Sequence, residues 1–381
     1  VGSKLPTLQK GGVMSIKTKV AGIMIFLALT AWVSSPADAQ KQNLCHAGWP
    51  PWQFARGMAM LGQLNDFNIH RETSETCMFG LKKGKYDIGI MTLFEFITAR
   101  YDSDTVVIGV TDYSVGGDAV VLRSEIQSGA ELRGKAVGLQ TDTFCLYLLY
   151  LYLKKNGLTL DEIRPVHIGA ENIGKAFVAN RTLAGVVGWM PFIDEALANG
   201  GKLAASSRDF PEKIITMMTV RQAALQKHRG VYKDFLKKWF AAVYDPAVLE
   251  KVAEYNKKSA AEFKKSLECA YMYPDVPSAL QAFPKMRETA QELQEFFKTE
   301  PANLPAAAAR FFGKEPQKTD SWFDDSLLKE ISQWTLPEIK NFSQRAQRAQ
   351  SCRNVISSVA RNLSLRPRLR TDAGDSAAYF R

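Results

Sequence analysis

The residues best placed to do chemistry are three tryptophans and a few small polar side chains that stand where apolar runs end. In "HAGWPPWQF", His46–Phe54, Trp49 and Trp52 bracket Pro50 and Pro51. The prolines fix the backbone there. Indole faces stack on flat or cationic groups, so this rigid loop suits one wall of a ligand site, or the packing of a core edge. Trp189 closes the apolar run "AGVVGW" and offers a second wall, or further core. Asp118 ends "VGGD", where a carboxylate receives an amine or amidine, or bonds its own turn backbone. Thr141 and Thr143 of "TDTF" open a helical stretch. Hydroxyls and free N–H groups at such a position bind anions, or simply cap the helix. Asp142 between them opposes an anion if it points inward and suits the positive helix end if it points outward. Thr92 and Glu95 fit a capping box, which gives Glu95 a structural task and leaves Thr92 free both to cap and to face a cleft.

Metal and covalent chemistry find no such support. The four histidines are scattered without paired spacing, and His46 and His167 fall on strand-like runs that suit structural roles. The five cysteines form no CxxC. Cys45, Cys77, Cys145 and Cys269 allow three pairings, with buried thiols an equal alternative. No nucleophile elbow, zincin helix, phosphate loop or dinucleotide fingerprint occurs in a fitting context. The expectation is a site with no catalytic residue, no metal and no cofactor.

These residues are positioned by an alternation of short apolar runs and amphipathic stretches, the pattern of strands and helices around a mainly parallel sheet. "NLCHA", "FNIHR", "YDIGIM", "TVVIGVT" and "DAVVLR" read as strands of a first block. "AVGL", "IRPVHIG" and "LAGVVGW" read as strands of a second, and "KIITMMTV" as a return toward the first. Phe144–Leu153 is a run of ten apolar residues, long enough for a buried helix and too short to span a bilayer. "MPFIDEALANGG" reads as a helix with Pro191 in its first turn. After Arg221 only long amphipathic helices follow, with "SWFDDSLLKEISQW" as a last packing piece.

The net charge of +10 sits at the ends: +3 in residues 1–39 and +6 in residues 341–381. The remaining +1 excludes a nucleic-acid surface from the globular part. Lys17 and Lys19, the apolar run from Val20 to Val33 and the small residues Ala37 and Ala39 form a secretory signal pattern with cleavage before Gln40. Residues 341–381, with no acid between Glu338 and Asp372, read as a disordered basic tail.

"GWPPW", "LKKGKYDIGIMT", "DYSVGGDAVVLR", "ELRGKAVGLQTDTFCLYLLYLYLKKNGLTLDEI" and "AFVANRTLAGVVGWMPFIDEA" occur in this order over residues 43–300. Together they resemble the nitrate/sulfonate/taurine and thiamine-precursor group of periplasmic solute-binding proteins. The resemblance implies an α/β, type II two-lobed fold, each lobe a mainly parallel sheet flanked by helices, with C-terminal helices. Its expected division is a leader at 1–39, lobe 1 at 40–122, lobe 2 at 123–220, a return to lobe 1 with C-terminal helices at 221–340, and the tail at 341–381. It implies a monomer in the periplasm that closes on a small polar solute by bending near Leu122–Ser124 and Met218–Arg221. The solute is then passed to an ABC permease and its ATPase. Site residues expected on this basis are Trp49, Trp52, Thr92, Asp118, Thr141, Thr143 and Trp189. Two solute classes stay open: a nitrogenous one (urea, guanidine, amine or pyrimidine type) and a sulfonate, taurine or nitrate. No strong arginine candidate stands at a strand end to clamp an anion; Arg56 is the nearest. The alternative class is an enzyme of pyrimidine-precursor synthesis on the same fold, although the cysteine-rich iron motif of those relatives is missing here.

Overall fold

The computed structural model describes Gly2 and residues 40–100, 104–300 and 319–332. The leader, its cleavage site and the basic tail lie outside the described residues.

From Gln42 the chain lays down β1 (Gln42–His46), α1 (Phe54–Met60), β2 (Phe67–Arg71), α2 (Ser74–Lys82), β3 (Ile88–Thr92), α3 (Leu93–Arg100) and the long β4 (Thr105–Ser114). It then passes to a second sheet with β5 (Asp118–Arg123), β6 (Ala136–Leu139), α4 (Phe144–Lys155) and β7 (Arg164–His167). That sheet continues through α5 (Ile173–Ala179), β8 (Leu183–Trp189), α6 (Asp194–Ala198) and β9 (Gly201–Ser206). The chain returns through β10 (Ile215–Arg221) and finishes in α7 (Gln222–Ala242), α8 (Pro246–Tyr255), α9 (Ala260–Ser266), β11 (Ala270–Met272), α10 (Val276–Thr299) and α11 (Ser326–Ile331). The strand orders are β11-β4-β10-β3-β1-β2 and β7-β6-β8-β5-β9.

Within each sheet the βα units run parallel, β1 with β2 and β3, and β6 with β7 and β8. Four strands of each sheet run in one sense, and antiparallel strands complete both sheets. A chain that leaves one sheet and comes back must insert its crossing strands in the opposite sense. So β10 lies antiparallel between β3 and β4, and β5 antiparallel between β8 and β9. The crossings themselves fall at residues 115–117 and 207–214. That differs from the bending points expected at Leu122–Ser124 and Met218–Arg221. Leu122 and Arg123 are paired inside β5, and Met218–Arg221 are paired inside β10. Ladder hydrogen bonds on both sides hold those segments, while the glycine pair Gly116–Gly117 takes the turn between sheets.

The apolar helix α4 is buried on nearly its whole length. One face covers the second sheet. On another, Tyr147 and Tyr150 meet Phe296 of α10 at ring-centroid distances of 5.4 and 4.7 Å. One hydrophobic cluster therefore runs through both sheets, and a second, separate cluster with Val121, Ile173, Phe177 and Val186 packs α5 and α6 against the second sheet. Gly157, at φ 70°, accepts the left-handed turn that ends α4, as the sequence Lys-Lys-Asn-Gly suggests. Pro191 precedes α6 rather than opening it; its carbonyl accepts from the Asp194 amide. Cys45, Cys77 and Cys145 are buried free thiols.

Candidate functional site

The C-terminal ends of β1, β3, β4 and β8 and the start of β5 converge on one cleft. About 360 Å³ of space, part of it open to solvent, lies between Ala47, Gly48, Trp49, Trp52, Ser74, Thr92, Ser114, Ile214 and Thr216 on one side and Asp118, Phe144 and Trp189 on the other. Both sheets contribute, as ligand sites at strand ends of open α/β sheets do. Of the residues expected from sequence, Trp49, Trp52, Thr92, Asp118 and Trp189 meet here.

Thr141 and Thr143 do not line this space. Thr143 Oγ1 accepts from the Cys145 amide and donates to the Gln140 carbonyl, so it caps α4. Thr141 Oγ1 lies 2.9 Å from His167 Nδ1 at the outer end of β6. The helix start expected to receive an anion is turned to another use. The backbone amide of Phe144 faces the carboxyl of Glu95 and draws its pKa down. Arg56 is likewise spent, donating to the Ile69 carbonyl at 2.7 Å.

The aromatic walls are held in place by specific partners. Trp49 Nε1 donates to Asp112 Oδ1 at 2.9 Å. A methyl group on Gly117 would lie 2.3 Å from Trp49 Cη2, so the bare glycine backbone is the seat of that ring. Across the cleft, Phe144 and Trp189 are 5.4 Å apart between ring centroids, and Phe192 braces Trp189 edge-on at 5.6 Å. Phe144 is a wall residue that the sequence reading passed over as helix core; its place as the first residue of α4, just after a strand end, is the signal that marks it.

Carboxyls gather around these walls. Asp118 pairs with Trp189 in the β5–β8 ladder and is 1% exposed. Its Oδ2 makes no hydrogen bond within the protein. Burial lifts its pKa to about 7, with the Ser114 hydroxyl pulling down and Asp112 pushing up. Burial lifts Asp112 to about 6 against the donors Thr111, Trp49 and Thr216. Glu95 closes the expected capping box, accepting from the Thr92 amide at 3.0 Å and from the Thr92 hydroxyl. Burial raises it to about 8. Asp142, near Glu95, has one buried oxygen without a partner. His46, fully buried beneath the loop, donates from Nδ1 to the Ala47 carbonyl at 2.7 Å and is held neutral, its pKa lowered to about 4 by burial.

Among the described residues, no lysine, arginine or histidine lines the cleft. Arg71, at the end of β2, stands beside Gly48 and over the Tyr255 ring. The nearest chemistry is therefore recognition by aromatic faces and acidic groups. Among the described residues no three histidine, cysteine, aspartate or glutamate side chains gather to hold a metal ion.

The architecture has close counterparts among solved structures. The alkanesulfonate-binding protein SsuA of Xanthomonas axonopodis pv. citri aligns at a TM-score of 0.58 and 14% identity, over 70% of this chain and 95% of its own. The fold is that of the two-lobed periplasmic binding proteins. The nitrate-binding protein NrtA of Synechocystis PCC 6803 shares that two-lobed fold, at a TM-score of 0.55 and 12% identity over 78% and 89% of the two chains. So does the desulfurization enzyme DszB, at 0.53 and 12% over 76% and 98%. In sequence, a Brucella abortus protein provisionally named a binding protein is 33% identical over 104 residues, 26% of this chain. The chain spans about a third of the length of the curated relatives it matches. No family model matches the chain.

Proposed function

We propose that this protein is the solute-binding component of an ABC-type importer: it captures a small polar solute between its two lobes and delivers it to a membrane permease served by an ATPase. One observation carries the reading. Strand ends from both sheets place Trp49, Trp52, Thr92, Asp118 and Trp189 around a single cleft. Names of similar proteins support it, since SsuA binds sulfonates, NrtA binds nitrate and the Brucella relative is named a binding protein.

In this reading lobe 1 comprises residues 42–114 with 215–299, and lobe 2 comprises residues 118–206. The crossings at 115–117 and 207–214 act as the hinge. Bending there closes the Trp189 wall on the Trp49 wall, and a solute that touches both favours the closed form by its differential contacts. The signal pattern before Gln40 exports the chain to the periplasm, where it works as a monomer without a cofactor.

Native mass spectrometry of the protein mixed with a pool of amines, amidines, ureas, sulfonates and nitrate tests this. The expected result is one non-covalent adduct per chain, released on unfolding with its mass unchanged. A released molecule of altered mass would instead assign the fold an enzymatic task, as in DszB.

A further inference from the structure

We infer that the solute selected by the cleft is a small organic cation, an ammonium or amidinium head group carried on apolar carbon, rather than an anion. The inference rests on the solute-binding reading above and names its substrate class. Three features of the cleft carry it.

First, Asp118 presents a carboxyl that is 1% exposed and whose Oδ2 has no hydrogen-bond partner in the protein. A buried carboxylate without a partner is costly, and a cation brought by a ligand relieves that cost. Second, the walls facing it are aromatic: Trp49, Trp52, Phe144 and Trp189. Their ring faces carry the negative end of the quadrupole and attract a cation. Trp49 turns its one hydrogen-bond donor away toward Asp112, leaving its ring for contact. Third, the feature that would hold an anion is already committed. The start of α4 directs its Phe144 amide at Glu95, and among the described residues the cleft lining contains no basic side chain. Arg71, a nearby cation at the end of β2, is exposed, sits over the Tyr255 ring and is not part of the lining.

Isothermal titration of the full chain separates the classes, with tetramethylammonium and methylguanidinium as cations, methanesulfonate and nitrate as anions, and urea as the neutral control. Saturable binding of at least one cation is expected, weakened at least about tenfold in Asp118→Asn. Trp189→Leu removes one aromatic face and serves as the second variant; it should weaken the cation several-fold. Circular dichroism confirms that each variant is folded. Binding of nitrate or methanesulfonate with the cations silent overturns the inference and leaves the receptor reading standing. Silence of all five probes also overturns it. If the mass-spectrometric experiment then finds no captured solute, the receptor reading falls with it.

Discussion

The indole N–H of Trp49 donates to Asp112 Oδ1 at 2.9 Å, linking the loop after β1 to the C-terminal end of β4 through a fully buried carboxyl. This bond fixes which face of Trp49 the cleft meets. It also favours the charged form of Asp112, whose pKa burial has lifted to about 6. Trp49→Phe keeps an aromatic ring and removes the donor. The expected loss of stability is about 1–2 kcal/mol at pH 8, where Asp112 is ionised and short of a donor. Near pH 5 the neutral carboxyl needs that donor less, so the loss should shrink. Urea unfolding at the two pH values measures both; equal losses would show that Asp112 does not feel the bond.

Gly117 and Trp49 touch where the chain crosses between sheets. Gly117→Ala places a methyl group 2.3 Å from Trp49 Cη2 and 3.0 Å from Cys269 Cβ. The ring must move, at a cost of about 1–3 kcal/mol of stability. Binding should weaken with it, because the wall and the hinge share this residue. Melting temperature and tryptophan emission report the displacement; an unchanged spectrum would mean the ring finds room without leaving its seat.

Glu95 gives a pH signature. Its pKa of about 8 in the folded protein lies above its ordinary value because burial favours the neutral acid. The folded state therefore holds more protons than the unfolded state between about pH 4.5 and 8, and stability falls as pH rises through that window. Glu95→Gln keeps the acceptor for the Thr92 amide and removes the titration. The variant should gain stability relative to the parent at pH 8, by an amount on the order of a few kcal/mol, and match it near pH 4.5. His46 titrates the other way: its lowered pKa costs stability as pH falls from about 6.5 toward 4. The difference between variant and parent cancels that contribution. A difference that is flat with pH would contradict the assignment.

Cation affinity should itself rise with pH. Asp118 must be ionised to hold a cation, and its pKa is about 7. Around it stand Asp112 on β4, which raises that value, and the Ser114 hydroxyl, which lowers it. Cys145 on α4 is also close and is kept neutral by burial, with Asp118, Glu95 and Asp142 each pushing its thiol further up. Between pH 6 and pH 8 the ionised fraction of Asp118 grows about tenfold, and the affinity for tetramethylammonium or methylguanidinium should grow with it. Titrations at the two pH values check this; affinity falling with pH would place the cation elsewhere.

Much of the site was legible in the sequence because strand ends are legible. "GWPPW" follows an apolar run, "AGVVGW" closes one and "VGGD" opens one, and such strand ends in an α/β sheet face the cleft. The helix start at Thr141–Thr143 misled for a physical reason. Its free amides do need an acceptor, and the acceptor near Phe144 is Glu95 from the other lobe, about fifty residues away in sequence. Long-range pairing of that kind leaves no local pattern. The crossings were misplaced for a related reason: β5 and β10 look like any buried strand, and only their antiparallel pairing shows where the chain changes sheets. β9 and β11 escaped notice because an edge strand such as "GKLAAS" carries little apolar alternation.

The most direct test of solute capture between the lobes uses the tryptophans themselves. The chain holds seven. Trp49, Trp52 and Trp189 line the cleft, whereas Trp239 and Trp322 are buried in helices and turns away from it. With 5-fluorotryptophan incorporated, fluorine NMR follows each ring during a titration with the solute found bound by mass spectrometry. The account predicts that the resonances of Trp49, Trp52 and Trp189 move together and saturate while those of Trp239 and Trp322 stay fixed. Saturable binding that leaves the three cleft resonances in place would contradict it.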